Sequence, residues 1–129
     1  MNNKFCVSYE TAQLLKEKGY NQETIHYYNN VGKLYLGNGH FNHNAYPFNL
    51  SAPTKAETID WLESNGIVVE LRYDYDELQK DDSEWVYYIY QYDNDGLLDE
   101  TVSSWGMGEI YDTRLEAEEA AIIKALKLL

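Results

Sequence analysis

His40 and His43 stand three residues apart in a stretch rich in Asn and Gly, with His26 as the remaining histidine of the chain. Two imidazoles at that spacing, joined by a nearby carboxylate, are a ligand set for zinc. Their flanks, Gly37-Asn38-Gly39 and Asn42 with Asn44, favour turns over helix, so a metal would have to order the loop, and solvent-exposed loop histidines are the simpler expectation. A second cluster, Asp74, Asp76, Glu77, Asp81, Asp82 and Glu84, has only Lys80 among its carboxylates. Paired carboxylates act as general acid and base, or hold magnesium, when one of them is desolvated or coupled to a partner. A run this dense reads first as a solvated loop and next as a docking surface for a basic protein. Asp93-Asn94-Asp95-Gly96 with Asp99-Glu100 shares residue types with a calcium loop, but there the glycine is sixth and the bidentate Glu twelfth, whereas here the glycine is fourth. A hairpin turn accounts for Asn94, Asp95 and Gly96 at less cost.

The remaining feature with binding chemistry is aromatic. Trp85, Tyr87, Tyr88, Tyr90 and Tyr92 lie on one β-rich run. Alternation puts Trp85 and Tyr87 on one face and Tyr88, Tyr90 and Tyr92 on the other. One face meets helices; the other pairs across strands with Tyr73 and Tyr75 or forms a patch for a partner, a use to which amphipathic Tyr is suited.

The elements that must carry these residues read as follows. Ser8 caps a helix over Tyr9 to Lys18, with Glu10 in its first turn and Gly19 as its stop. Thr24 to Tyr28 and Lys33 to Leu36 form a hairpin around Asn29-Asn30-Val31-Gly32. Gly37 to Pro53 is the chain's irregular segment. Thr54 and Glu57 make a capping box for a second helix that buries Ala56, Ile59 and Leu62 and ends at Asn65-Gly66. The strand Ile67 to Tyr73 opens on a continuous apolar run that suggests a central position. Trp85 to Tyr92 and Leu97 to Trp105 form an antiparallel hairpin, and Thr113 with Glu116 caps a final helix whose Leu115, Ile122, Leu126 and Leu129 share a face. Only one helix stands between strands, which excludes repeated βαβ units. The fold class is α+β: an antiparallel or mixed sheet of about five strands with three helices in the order αββαβββα.

At 129 residues, 44% of them hydrophobic, the chain suits a single domain over 1–129 with one core. No stretch reaches the roughly 18 to 20 apolar residues of a membrane span, and Met1-Asn2-Asn3-Lys4 does not open a signal peptide. A cytoplasmic location and no membrane partner are expected. Cys6 has no second cysteine to pair with and reads as a small buried hydrophobe. The net charge of −12 is uneven: residues 1–54 hold three acids and four bases, and the remainder holds nineteen and six. Such acidity repels nucleic acid phosphates, so direct nucleic acid binding is disfavoured, while a basic protein partner suits it.

Cys6-Val7-Ser8-Tyr9-Glu10 leading to Leu14-Leu15-Lys16-Glu17-Lys18-Gly19-Tyr20, Ser51-Ala52-Pro53-Thr54 leading to Trp61-Leu62, and Ala120 to Leu129 together resemble small uncharacterised proteins of Bacteroides-group gut bacteria and their prophages. The resemblance covers about a third of the chain, and its motifs are caps and core positions. It implies an origin in mobile elements and carries no site residues.

No Gly-rich phosphate loop, Gly-x-Ser-x-Gly elbow, His-Glu-x-x-His or Cys-His pairing occurs, and no cofactor is expected. The expected function is a non-enzymatic interaction protein, presenting Tyr88, Tyr90 and Tyr92 with Asp74, Asp76, Asp81 and Asp82 to a basic protein, including by imitating the charge of nucleic acid. The rival is a small metal-dependent hydrolase using the acidic loop or His40 and His43. Two copies at −12 repel, so a monomer or weak homodimer is expected.

Overall fold

In a computed structural model, described for residues 3–74 and 84–129, the chain is α+β. Helix α1 is Tyr9–Glu17, α2 is Lys55–Ser64 and α3 is Arg114–Leu126. The six strands are β1 Thr24–Tyr28, β2 Leu34–Phe41, β3 Leu50–Ser51, β4 Ile67–Asp74, β5 Glu84–Tyr92 and β6 Leu98–Ser103. They form two three-stranded antiparallel sheets, β2-β1-β3 and β4-β5-β6, in place of the expected single sheet of about five strands. The chain divides into two compact units, Met1–Thr58 with Leu129, and Ile59–Leu128.

In the first unit, Ser8 Oγ accepts the Thr11 amide 3.2 Å away and starts α1, whose Ala12 and Leu15 are fully buried. Gly37 to Pro53, expected to be irregular, is ordered by strand pairing at its two ends and keeps turns between them. Strand β2 continues through Phe41, a 3-10 turn covers His43–Ala45, and β3 adds to β1 with Tyr27 opposite Ser51. The base of this loop is closed reciprocally: the Ser51 amide donates to Asn44 Oδ1 at 2.9 Å, and the Asn44 amide donates to Ser51 Oγ at 3.2 Å. A side chain at Gly37 would come within 2.7 Å of the Ile25 carbonyl, so only glycine lets the two backbones approach there.

The Thr54 capping box forms as expected, each backbone N–H donating to the other residue's side chain at 3.1 Å. The buried face of α2 differs from expectation. Leu62 is buried as expected and Ile59 is half-buried, but Ala56 is exposed, and Lys55 and Thr58 are buried in its place. The Lys55 ammonium reaches the carbonyls of Lys4 and Cys6, which satisfies the charge that burial would otherwise penalise. Cys6 is buried, and burial pushes its thiol above the usual range.

In the second unit β5 is central and β4 is an edge strand, contrary to the position its apolar opening suggested. That run serves helix packing: Ile67, Val69 and Leu71 stand opposite Gln91, Ile89 and Tyr87, and α3 packs on β4 and β5. Ala117, Ala121, Ile122 and Ala125 of α3 are fully buried, with small residues allowing close approach. Asp93 closes the β5–β6 turn, its Oδ1 accepting from the amides of Asp95 and Leu97 at 2.9 and 2.8 Å. Strand β6 is the other edge, and its Asp99 and Glu100 are exposed. Among the described residues no helix is long and apolar enough to cross a membrane.

Candidate functional site

The antiparallel register of β4 on β5 decides which side chains share the sheet face away from the buried Tyr87 and Ile89. Arg72 stands opposite Val86, Glu70 opposite Tyr88 and Val68 opposite Tyr90; on the other side Tyr90 meets Glu100 and Tyr92 meets Leu98. Tyr88 and Tyr90 are half-buried and Tyr92 is 51% exposed. The three tyrosines singled out from the sequence therefore share one face, open at Tyr92, half-covered at Tyr88 and Tyr90, and buried at Val86. Arg72 organises its centre. The guanidinium lies 4.1 Å over the Tyr88 ring, its Nε donates to Glu70 at 2.6 Å, and its outer nitrogen donates to the Tyr90 hydroxyl at 3.3 Å. That hydroxyl donates in turn to Glu70 at 3.2 Å. Partial burial, and then the Glu70 carboxylate, push the Tyr90 phenol above its usual range.

Beside this network is an open recess of about 190 Å³ lined by Arg72, Tyr73, Val86, Tyr88 and Trp105. Trp105 sits just past β6 in a turn, where a continuing strand was expected. The turn is anchored by fully buried Ser104: its amide donates to the Tyr87 carbonyl at 3.0 Å and its Oγ accepts the Tyr87 amide at 2.8 Å. This holds Trp105 at the recess with its side chain 56% exposed. Tyr73 pairs in register with Trp85, their rings 5.2 Å apart, rather than with Tyr88 or Tyr90. Arg72, Glu70 and Trp105 did not stand out in the sequence. Pairing β4 with β5 as an antiparallel pair would have placed the first two; Trp105 depends on the Ser104 anchor, which has no local signature.

Asp74 ends β4 opposite Glu84; Asp76, Asp81 and Asp82 lie outside the described residues. His40 is exposed on β2, as expected, but His43 is not. Its ring is buried, stacked on Tyr27 at 4.5 Å, and hydrogen-bonded to the Thr24 backbone, and its Nε2 has no partner among the described residues. Burial holds its basicity below the ordinary value. Among the described residues no three His, Cys, Asp or Glu side chains gather as a metal site.

Charge follows the division of the chain. Ile59–Leu128 carries eighteen acidic and five basic side chains, whereas Met1–Thr58 with Leu129 carries four and five. The open aromatic face thus belongs to a unit with a net charge of −13. Comparison with protein-family models, with curated proteins and with solved structures returned no match.

Proposed function

We propose that this is a non-enzymatic interaction protein whose second unit binds a Lys- and Arg-rich segment of a protein partner on the open face of β4-β5-β6. The observation that carries the reading is Arg72 itself. An arginine seated on Tyr88 and paired with Glu70 is the arrangement a partner's basic side chains would repeat beside it, on Tyr90, Tyr92 and Trp105 with Glu100 at the rim. Aromatic faces attract guanidinium and ammonium groups through the ring quadrupole, and carboxylates at the rim add charge complementarity. The unit's −13 charge draws such a segment in, with an on-rate that falls as salt rises.

Titration with an Arg-rich peptide, a Lys-rich peptide and a neutral peptide of equal length tests this. The basic peptides bind at low salt, the neutral one does not, and Tyr90→Ala with Trp105→Ala weakens binding by about tenfold. Equal loss of binding on salt addition in wild type and variant, with no effect of the substitutions, would mean diffuse charge attraction rather than a face, and would overturn the proposal. Light scattering reports whether the same face instead joins two copies of the chain: a tight dimer at low salt contradicts the expected monomer or weak dimer.

A further inference from the structure

The first unit has a recess of its own, about 180 Å³, and its lining is chemically unlike the aromatic face. Gln13, Asn29, Asn30 and Asn49 bring four carboxamides to it, and Tyr9 and Phe48 bring two rings. No acidic or basic side chain lines it. Asn29 spends its Oδ1 on the hairpin turn, accepting from the amides of Val31 and Lys33 at 3.1 and 2.9 Å. Among the described residues, no hydrogen bond occupies the side-chain amides of Gln13, Asn30 or Asn49.

The walls are fixed in advance. Tyr9 and Gln13 stand one turn apart on α1. Gly32, at φ +83°, brings the hairpin turn onto Tyr9, where an added Cβ would sit 3.5 Å from the ring. The Pro47-Phe48 tip is tied down by Lys16, whose ammonium donates to the carbonyls of Tyr46 at 2.8 Å and Asn49 at 3.1 Å, and by the Asn44–Ser51 pair at its base. The protein thus holds Phe48, a residue 72% exposed to water, on an ordered loop beside four amides. Ordering an exposed aromatic costs entropy without burying it, and a site already ordered binds its ligand at lower cost.

We propose that this recess binds one ring of a neutral saccharide. A pyranose has an apolar C–H face that suits the exposed Phe48 ring, and rim hydroxyls that each donate and accept. A carboxamide, with two N–H donors and an acceptor oxygen, matches a pair of neighbouring hydroxyls. An anionic ligand finds no free cation in the lining, because Lys16 is spent on backbone carbonyls, and a cationic one finds no carboxylate. This site is independent of the basic-segment face in chemistry and in the unit that carries it.

The test uses the full chain, isotope-labelled, and follows the side-chain amide resonances of Gln13, Asn29, Asn30 and Asn49. Millimolar methyl glycosides of glucose, galactose, mannose and N-acetylglucosamine, and their short oligomers, are added in turn, with adenosine and a neutral tripeptide as alternatives. The expected result is a saturable shift of these amides by at least one saccharide, with Phe48→Ala weakening binding by about tenfold. Phe48 is exposed, so melting of this variant should match wild type and exclude misfolding as the cause. Lys16→Met, which frees the tip, should also weaken binding, and Lys16→Arg should restore part of it. Shifts produced by adenosine or the tripeptide and by no saccharide would overturn the assignment, as would no shift with any of them.

Discussion

The two units of this chain differ in what each buries in its own core. Of the eight polar or charged side chains buried among the described residues, Thr11, Thr24, His43, Ser51, Lys55 and Thr58 belong to Met1–Thr58, and only Ser104 and Glu118 to Ile59–Leu128. The first unit adds to an apolar core of Val7, Ala12, Leu15 and Leu34 directed contacts such as the Tyr28 hydroxyl donating to the Val7 carbonyl at 2.7 Å. Buried groups of this kind contribute modestly when paired and cost more when orphaned. The second unit buries Tyr87, Ile89, Ala121, Ile122 and Leu126 against one another's elements, and must do so against the self-repulsion of its surplus carboxylates. Near-neutral charge goes with a core that mixes apolar and polar side chains, and strong charge with one that is almost wholly apolar.

Trp61, Trp85 and Trp105 all lie in the second unit, so tryptophan fluorescence follows that unit while amide exchange follows the first. The largest effect expected is from Ile122→Ala, which opens a cavity in a fully buried position and should cost about 3 kcal/mol in fluorescence-detected denaturation. Tyr28→Phe should cost about 1 to 2 kcal/mol, read as faster exchange in Met1–Thr58. If it lowers the fluorescence midpoint by the same amount, the two units unfold as one and the contrast between them breaks. Gly96→Ala should cost about 1 kcal/mol in the second unit: φ is +76° and the added methyl meets nothing, so the penalty is backbone conformation alone.

The mildest effect is from pH and sharpens the contrast. His43 is less basic folded than unfolded, so the unfolded chain takes up the proton first as pH falls past about 6.5. The contribution is intact at neutral pH and above, and stability drops progressively from there toward the folded-state value. Protection factors in the first unit, which are corrected for the intrinsic slowing of exchange in acid, should fall over that range, and His43→Phe should remove this part of the slope. An unchanged slope in the variant would assign the acid sensitivity elsewhere.

Local signals in the sequence located most elements. Ser8, the Thr54–Glu57 box, Thr113 and the Asp93-to-Gly96 turn each bond within a few residues of themselves, so composition alone points to them. The two-residue β3 has no periodicity to detect and exists because Asn44 and Ser51 bond across seven residues. The split into two sheets, the burial of Lys55 in place of Ala56 and the enclosure of His43 likewise depend on partners distant in the chain. For the candidate face, alternation along β5 was enough to group Tyr88, Tyr90 and Tyr92; Arg72 and Trp105 required the register and the Ser104 anchor.

The exposed edge of β6 carries a further consequence. An edge strand offers unpaired backbone groups to any other strand that approaches in register, and Leu97 just before β6 and Leu98 at its start are both exposed. Asp99 and Glu100 sit on that edge, so a second copy of β6 laid alongside in parallel register would set Asp99 against Asp99 and Glu100 against Glu100. The same carboxylates that give the unit its charge act as gatekeepers against self-templated fibrils, and acid that neutralises them removes that guard.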